Sequence, residues 1–500
     1  MIKESKFIKN VVTGFGGQFL AIVLGLVVPR LFITNYGSDI NGLIGTITQI
    51  YTYMALLEAG IGQAARNALF KPFQEKDQDE INNVTSIATN YYRKFTLIYA
   101  GCVIVISFIL PIVLKTNVDR ITIFWVSFLE GLSGVVSFYY IETYTIILAV
   151  DGKSYINNGI LLATKIIGYI IKIIMAVFGL NIILLQFAYF VVNIFKVIVY
   201  KAYIKKKYFW LNPNKKNISK NLKDRNSYVI TEIASTIFNS TDMIVLSVFI
   251  STQIASVYSI YNMIYTNIHL LLNSVYFSVV YVLGKLYHKN LQEYEKAHDA
   301  FEMGFLSTVT IFMSVTYVLI IPFVSLYTKG VNDVEYINKS LPILFCLVQI
   351  LSWSRYVTGN LTGIAGYAKQ TSYISIIEAV TNLTLSILLV NFLGIEGVLL
   401  ATVIALPLKV IWCAFISDKK VMRRSCKKTL FILGTNYLLF ASVVFVSRYF
   451  SLNIQNYMQF VIWGVVLTIC ISSLGIMLNI VFNHDSVIFV WKHLIRRLNK

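Results

Sequence analysis

The stretch Leu97-Ile98-Tyr99-Ala100-Gly101-Cys102-Val103-Ile104-Val105-Ile106-Ser107-Phe108-Ile109-Leu110-Pro111-Ile112-Val113-Leu114 decides the fold: eighteen consecutive residues carry no charge. A bilayer-spanning helix needs about 20 such residues, because every backbone polar group must be satisfied inside the segment. Outward from it the same reading recurs along the chain. Fourteen candidate spans are expected, at 7–34, 42–68, 94–115, 121–150, 156–178, 181–203, 227–251, 255–284, 301–327, 336–362, 370–392, 395–416, 428–450 and 458–482. Tight turns at Gly179-Leu180-Asn181 and Gly394-Ile395 divide two pairs of them; fusing these pairs lowers the count to thirteen or twelve. Composition agrees. Hydrophobic residues make up 57% and charged residues 13% of the 500, against about 25% charged in ordinary soluble proteins. Mean hydropathy is +0.68. An all-α integral membrane protein is expected, and a soluble or disordered chain is excluded.

Charge gives the orientation. The net charge is +19, from 43 Lys and Arg against 24 Asp and Glu. With the N-terminus placed in the cytoplasm, 32 of the 43 cations fall in cytoplasmic segments and their flanks, and six (Arg30, Lys115, Arg120, Lys329, Lys339, Arg448) in outer loops. Positive charge stays inside, so both termini are expected in the cytoplasm of a multi-pass protein. The surplus is topological. The basic run from Lys201 to Arg225 reads as an anchor facing anionic lipid rather than as a nucleic-acid surface. No cleavable leader is expected, because Lys3, Lys6 and Lys9 run straight into a stretch of spanning length.

The chain repeats itself. Ala68-Leu69-Phe70-Lys71-Pro72-Phe73 matches Val282-Leu283-Gly284-Lys285-Leu286-Tyr287, and Ser154-Tyr155-Ile156 matches Ser372-Tyr373-Ile374. Phe178-Gly179-Leu180 matches Leu393-Gly394-Ile395. The offset is about 215 residues, or six spans. An even number gives two halves of the same orientation, a transporter plan with parallel lobes about an axis normal to the membrane. The expected organisation is an N-lobe over 1–210 (spans 1–6), a basic linker over 211–226, a C-lobe over 227–418 (spans 7–12), and two further spans with a basic tail over 419–500.

Enzymatic signatures are missing. Gly152-Lys153-Ser154 lacks the upstream glycine of a phosphate-binding loop and reads as a turn. The five His form no ligand pair, no Ser elbow occurs, and the five Cys form no C-x-x-C pair. Short outer loops exclude membrane glycosyltransferases and polymerases with large catalytic loops. The protein is read as a non-enzyme without metal or organic cofactor.

Ionisable groups within the spans carry the functional reading, because charge in hydrocarbon is costly and faces a cavity or a partner. The acidic set is Glu58, Glu130, Glu142, Glu232, Asp242 and Glu378; the basic set is Arg30, Lys165, Lys172, Lys196, Arg355 and Lys409. Glu58, among small residues in Leu56-Leu57-Glu58-Ala59-Gly60-Ile61-Gly62-Gln63, reads as a coupling site or as a structural pair. Asp242 opens the second half and, by the offset, sits near the counterpart of Arg30; an Arg30–Asp242 gate is one reading, with Arg30 snorkelling to headgroups as the plain one. Lys165 and Lys172 share a face beside Tyr169, a stripe suited to an anion, with Glu142 as a neutralising partner. Arg355, between Trp353 and Tyr356, is a candidate phosphate or sugar contact, and His269 with Asn273 lines the eighth span. Tyr139, Tyr140 and Tyr144 offer faces for sugar stacking, although most of the 32 Tyr read as interfacial belt.

Residues 56–63, preceded by Tyr36-Gly37-Ser38-Asp39-Ile40-Asn41-Gly42-Leu43, resemble polysaccharide flippases of the Wzx type. Thr241-Asp242-Met243-Ile244-Val245-Leu246-Ser247, followed by Val257-Tyr258-Ser259-Ile260-Tyr261, fits the same resemblance, which covers essentially the whole chain. That family belongs to the multidrug/oligosaccharidyl-lipid/polysaccharide exporter (MOP) superfamily. The resemblance implies two six-helix lobes around a cationic cavity in a bacterial cell membrane. It implies flipping of undecaprenyl-diphosphate-linked oligosaccharide by alternating access, driven by an H+ or Na+ gradient or the membrane potential, for capsule or other surface polysaccharide. Polymerases and glycosyltransferases are the implied partners. Many such flippases have twelve spans, so the extra pair here departs from them. Two other readings stand beside it: an ion-coupled exporter of organic cations from the same superfamily, and a non-transporting scaffold of a polysaccharide assembly complex.

Overall fold

A computed structural model describes residues 22–55, 61–212, 225–450 and 452–498. Every regular element in them is helical: α1 (Ile22–Asn35), α2 (Ser38–Ala55), α3 (Ile61–Glu75), α4 (Gln78–Val113), α5 (Arg120–Tyr140), α6 (Glu142–Val150), α7 (Ser154–Val177) and α8 (Ile182–Lys207). They continue as α9 (Arg225–Phe249), α10 (Thr252–Lys289), α11 (Leu291–Tyr327), α12 (Leu341–Ile364), α13 (Ala368–Phe415), a π-helical turn (Ile416–Val421), α14 (Lys427–Ser447), α15 (Tyr457–Phe482) and α16 (His484–Leu498). Among the described residues, ten helices are long and apolar enough to cross a membrane, and α1 and the end of α9 are shorter apolar helices. The all-helical membrane architecture expected from the sequence is therefore present.

The quoted stretch shows how such a protein folds inside out. On α4, Tyr92, Thr96, Tyr99, Val103, Ser107 and Leu110 are buried at helical spacing, while Leu97, Ile98, Ile104, Val105, Phe108 and Ile112 are exposed. The exposed stripe is as apolar as the core because its solvent is lipid. Buried hydroxyls fold back onto the helix: Ser107 Oγ donates to the Val103 carbonyl at 2.7 Å. Helix starts are capped by short acceptors. Asp77 takes the Glu80 N–H at 3.0 Å, Asp119 the Thr122 N–H at 2.8 Å and Asn290 the Glu293 N–H at 3.2 Å.

Several boundaries differ from the sequence reading. The expected span 121–150 is two helices, broken at Ile141 with no Pro or Gly to mark it. Residues expected as cytoplasmic loops continue the helices: α4 begins at Gln78 and α11 at Leu291. The span expected from 336 starts at Leu341. The basic tail beyond 483 forms a further helix, α16. The two spans expected on either side of Gly394 are present as two arms of α13, kinked where Gly394 takes φ 59° and ψ −131°. The repeat recurs in the backbone. Gly152 and Gly366 both have positive φ (68° and 85°), as do Gly179 and Gly394 (63° and 59°), a left-handed conformation open to glycine without strain.

By compactness the chain forms two units, Met1–Ser256 and Val257–Lys500, so α9 groups with the helices before it. In the first unit, Leu43, Ile47, Tyr51, Val103, Ile123 and Leu185 are part of one core. In the second, Leu439, Val443 and Ile471 of α14 and α15 pack with Ile311 and Val315 of α11.

Candidate functional site

In the first unit a polar cluster centres on Glu130 of α5. Gln186 of α8 donates to its carboxylate through a short hydrogen bond. Lys172 of α7 lies close enough to interact with its charge, and its ammonium sits 4.1 Å from the ring centre of Tyr189. Tyr51 and Tyr99 complete the surroundings. Three glycines make room for the rings. A Cβ on Gly131 would lie 2.7 Å from the Tyr51 hydroxyl, one on Gly134 2.9 Å from Tyr99 Cζ, and one on Gly168 2.9 Å from Tyr189 Cε2. Tyr51 also donates to the Ser127 carbonyl at 3.0 Å. Lys172, part of the basic stripe expected for an anionic substrate, has a carboxylate facing it. That carboxylate is Glu130, not Glu142. Glu142 instead faces Lys196, whose ammonium donates to Ser137 Oγ at 3.0 Å.

Lys165 is exposed, 5.8 Å from the Tyr169 ring centre and on its own helix. Arg30 is half-buried on α1. Asp242 is buried on α9, next to Thr241, which shares a short hydrogen bond with Tyr53 of α2. Glu58 lies outside the described residues. Two of the three tyrosines considered for sugar stacking hold cations: Arg93 lies over Tyr139 at 5.4 Å and Lys201 over Tyr140 at 3.7 Å. Beyond the spans, Lys153 meets Asp151 at 2.5 Å, and Tyr208 donates to the same carboxylate at 2.6 Å. Burial first and then the Asp151 carboxylate push the Tyr208 hydroxyl well above its ordinary pKa, so it remains a donor.

The second unit holds a more concentrated site. Arg355 of α12 donates to Glu378 of α13 at 3.0 Å, and Lys409, on the other arm of α13, lies 3.8 Å from the same oxygen. Arg355 is 6% and Glu378 2% exposed. Lys409 also donates to Ser375 Oγ at 2.8 Å. One carboxylate thus serves two cations, an excess of positive charge in apolar surroundings that suits an anionic ligand. The kink at Gly394 makes it possible by folding the two arms of α13 back on each other; Asn382 on one arm donates to Thr402 on the other at 2.8 Å.

Aromatic rings flank this triad. His269 of α10 stacks on Trp353 with ring centres 4.4 Å apart and hydrogen bonds Gln349. Tyr276 donates to the Tyr356 carbonyl at 2.9 Å. The structure therefore brings together Arg355 and His269, by way of Trp353 and Tyr356, and adds Glu378 and Lys409, which sequence reading placed among the ionisable residues without a site. Asn273 is half-buried one turn beyond His269.

No family profile and no curated protein matches this sequence. Solved structures match its fold. The lipid II flippase MurJ in an inward closed conformation aligns with a TM-score of 0.65 and 16% identity, over 95% of this chain and 100% of that one. An inward-facing multidrug resistance MATE transporter of the MOP superfamily aligns with a TM-score of 0.61 and 12% identity, over 78% of this chain and 93% of that one. A MOP superfamily transporter from Pyrococcus furiosus, described as having a binding pocket of reversed polarity, aligns with a TM-score of 0.55 and 11% identity, over 81% and 95%. This multi-pass helical membrane protein thus has the fold that MurJ and the MATE transporters share within the MOP superfamily.

Proposed function

We propose that the protein flips undecaprenyl-diphosphate-linked oligosaccharide repeat units from the inner to the outer leaflet of a bacterial cell membrane, supplying a surface polysaccharide. The observation that carries this reading is the extent of the match to a lipid flippase. Cover of 95% of this chain leaves out fewer residues than α14 and α15 contain together, whereas the MATE transporter covers 78%. The match to the lipid flippase therefore takes in at least part of the α14–α15 pair.

The chemistry of the buried clusters supports it. A diphosphate leaving the headgroup region loses its water and needs charged donors in exchange. Arg355 offers a planar pair of donors suited to phosphate oxygens, and Lys409 a point charge beside it. Both share one carboxylate, Glu378, which balances only one of the two charges and which the cargo would displace in part. Lys172 plays the same part against Glu130, and Lys165 and Arg30 are further cations of the first unit. His269, Asn273 and the aromatic rings around Trp353 offer hydrogen bonds and stacking faces to sugars. Asp242 and Glu58 are the coupling carboxylates for an ion gradient.

The test is depletion in a cell that makes surface polysaccharide. Lipid-linked repeat units should accumulate on the inner leaflet, and Arg355→Ala, Asp242→Ala and Glu58→Ala should abolish the polymer with the protein still in the membrane. Normal polymer in all three variants refutes the assignment. Extrusion of organic cations by the wild type, with polymer unaffected by depletion, would favour the MATE reading.

A further inference from the structure

The end of α11 expected on the cytoplasmic side contains an unusual buried group. His298, Asp299 and Glu302 are 1%, 2% and 0% exposed, and one donor atom from each lies within 4.8 Å of the others. His298 and Glu302 are four residues apart, so they share a face of the helix. His298 Nδ1 stands 3.9 Å from Asp299 Oδ1, beyond hydrogen-bond reach, and neither ring nitrogen of His298 nor either oxygen of Glu302 makes a hydrogen bond. Tyr294, one turn before His298, is fully buried with its hydroxyl equally unengaged, its ring centre 5.6 Å from that of His298. Burial without partners on this scale is costly and calls for a ligand.

The surroundings define what that ligand is. Arg424 grips Asp299 with two nitrogens, at 2.6 and 2.9 Å, and meets Asp418 of the π-helical turn at 2.8 Å. Lys428 reaches Asp299 at 2.9 Å. Three buried carboxylates, Asp299, Glu302 and Asp418, therefore face two cations, and the carboxylate left over is Glu302. Missing is positive charge with vacant coordination positions, next to an imidazole. We propose that His298, Asp299 and Glu302 bind one divalent first-row transition-metal ion of the zinc or manganese class. An imidazole with carboxylates is a donor set for such ions. Bonds of about 2.1 Å in a tetrahedral shell put ligand atoms roughly 3.5 Å apart, so the three side chains close by about an ångström on binding. Arg424 and Lys428 take three of the roughly four lone-pair sites of Asp299, leave one on Oδ1 and hold the carboxylate in place, as outer partners of metal ligands do. The ion would tie α11 to the π-helical turn through Arg424 and to α14 through Lys428. The site is separate from the Arg355 triad and does not depend on the cargo.

The experiment uses the full chain in detergent, stripped with chelator and titrated with Co2+ under equilibrium dialysis and visible absorption. One Co2+ per chain is expected, displaced by Zn2+, with a thermal midpoint that rises with metal concentration. His298→Ala and Glu302→Gln should each weaken binding by about tenfold or more while the protein elutes as a single species, and His484→Ala should bind as wild type. Glu302→Gln preserves size and shape, so it keeps the test decisive if His298→Ala fails to fold. No Co2+ bound by the wild type, or equal binding by Glu302→Gln, overturns the proposal and leaves Glu302 as a carboxyl neutralised by a proton.

Discussion

Gln253 donates to Asp39 across 2.9 Å, and the two residues stand 214 positions apart, at equivalent places in the repeat. The turn that opens α2 thus meets the turn that opens α10. Thr252 donates to the same carboxylate at 2.5 Å, Thr116 at 3.2 Å and Asn117 at 3.1 Å. Backbone bonds reinforce the joint: the Lys115 N–H reaches the Ser247 carbonyl and the Thr252 N–H the Lys115 carbonyl, each at 3.0 Å. Gly42 lets the segments close, because a Cβ there would lie 2.7 Å from the Thr252 carbonyl carbon.

Asp39→Ala removes the acceptor of four donors. Hydrogen bonds to a charged group contribute more than neutral ones, and the expected loss is about 2–3 kcal/mol. Asp39→Asn keeps one acceptor oxygen and should recover part of it. Gly42→Ala should cost at least as much as Asp39→Ala, since the obstructing atoms are backbone. Thermal unfolding of the purified variants orders the three; an Asp39→Ala protein as stable as wild type would remove the joint from the account of the fold.

The spans and the repeat were legible because both depend on composition and on local turn chemistry. A run such as 97–114 has one solvent it can accept, and Gly179 and Gly394 advertise their turns by being glycine. The break at Ile141 was not legible, since the residues next to it include no Pro or Gly. Nor was α16: its apolar residues, the run 487–491 with Leu494, Ile495 and Leu498, are too few to span, and only the return of apolar residues three to four positions on distinguishes a helix from a tail. The charged residues themselves were all visible. Their pairing was not, because Arg355, Glu378 and Lys409 come from different helical segments with no periodicity linking them, and the Lys172 partner proved to be Glu130 rather than Glu142.

The Arg355–Glu378–Lys409 triad separates structure from transport. Glu378→Ala leaves two buried cations without their counter-charge and should cost about 3–5 kcal/mol. Arg355→Met with Glu378→Leu removes the buried pair together and should be markedly more stable than Glu378→Ala alone. If the cations meet the cargo, this double variant folds and still makes no polymer. Restored polymer in the double variant would reduce the triad to a packing feature.

The glycines beside Glu130 give a test with an internal control. Gly131→Ala and Gly134→Ala force a new methyl against Tyr51 and Tyr99, and overpacking of this kind costs about 1–3 kcal/mol. Gly101→Ala and Gly304→Ala meet nothing within 4 Å and lie in helices, so they should be neutral or stabilise by up to about 1 kcal/mol. Unfolding midpoints of the four variants check this directly; equal effects across them would mean that the tyrosines do not occupy the glycine notches.

The last pair of spanning helices is held by a polar ladder. Asn479 of α15 donates to Ser307 of α11 at 2.8 Å, and Asn483 donates to Asn479 at 2.9 Å and to Thr435 of α14 at 3.4 Å. Gly475 brings α15 close, where a Cβ would lie 3.3 Å from Leu439 and 3.4 Å from Ile311. Such bonds within a membrane are worth about 0.6–2 kcal/mol each. Asn479→Leu should therefore loosen α15 without preventing insertion, and protease should cut the 448–456 connection sooner than in wild type. On the proposed function this pair belongs to the lipid-handling part of the protein, so surface polymer should fall in Asn479→Leu while the Arg355 triad stays intact. Faster cleavage with undiminished polymer would show that flipping does not need a firmly held α15, and would take the functional weight from the match over that helix pair.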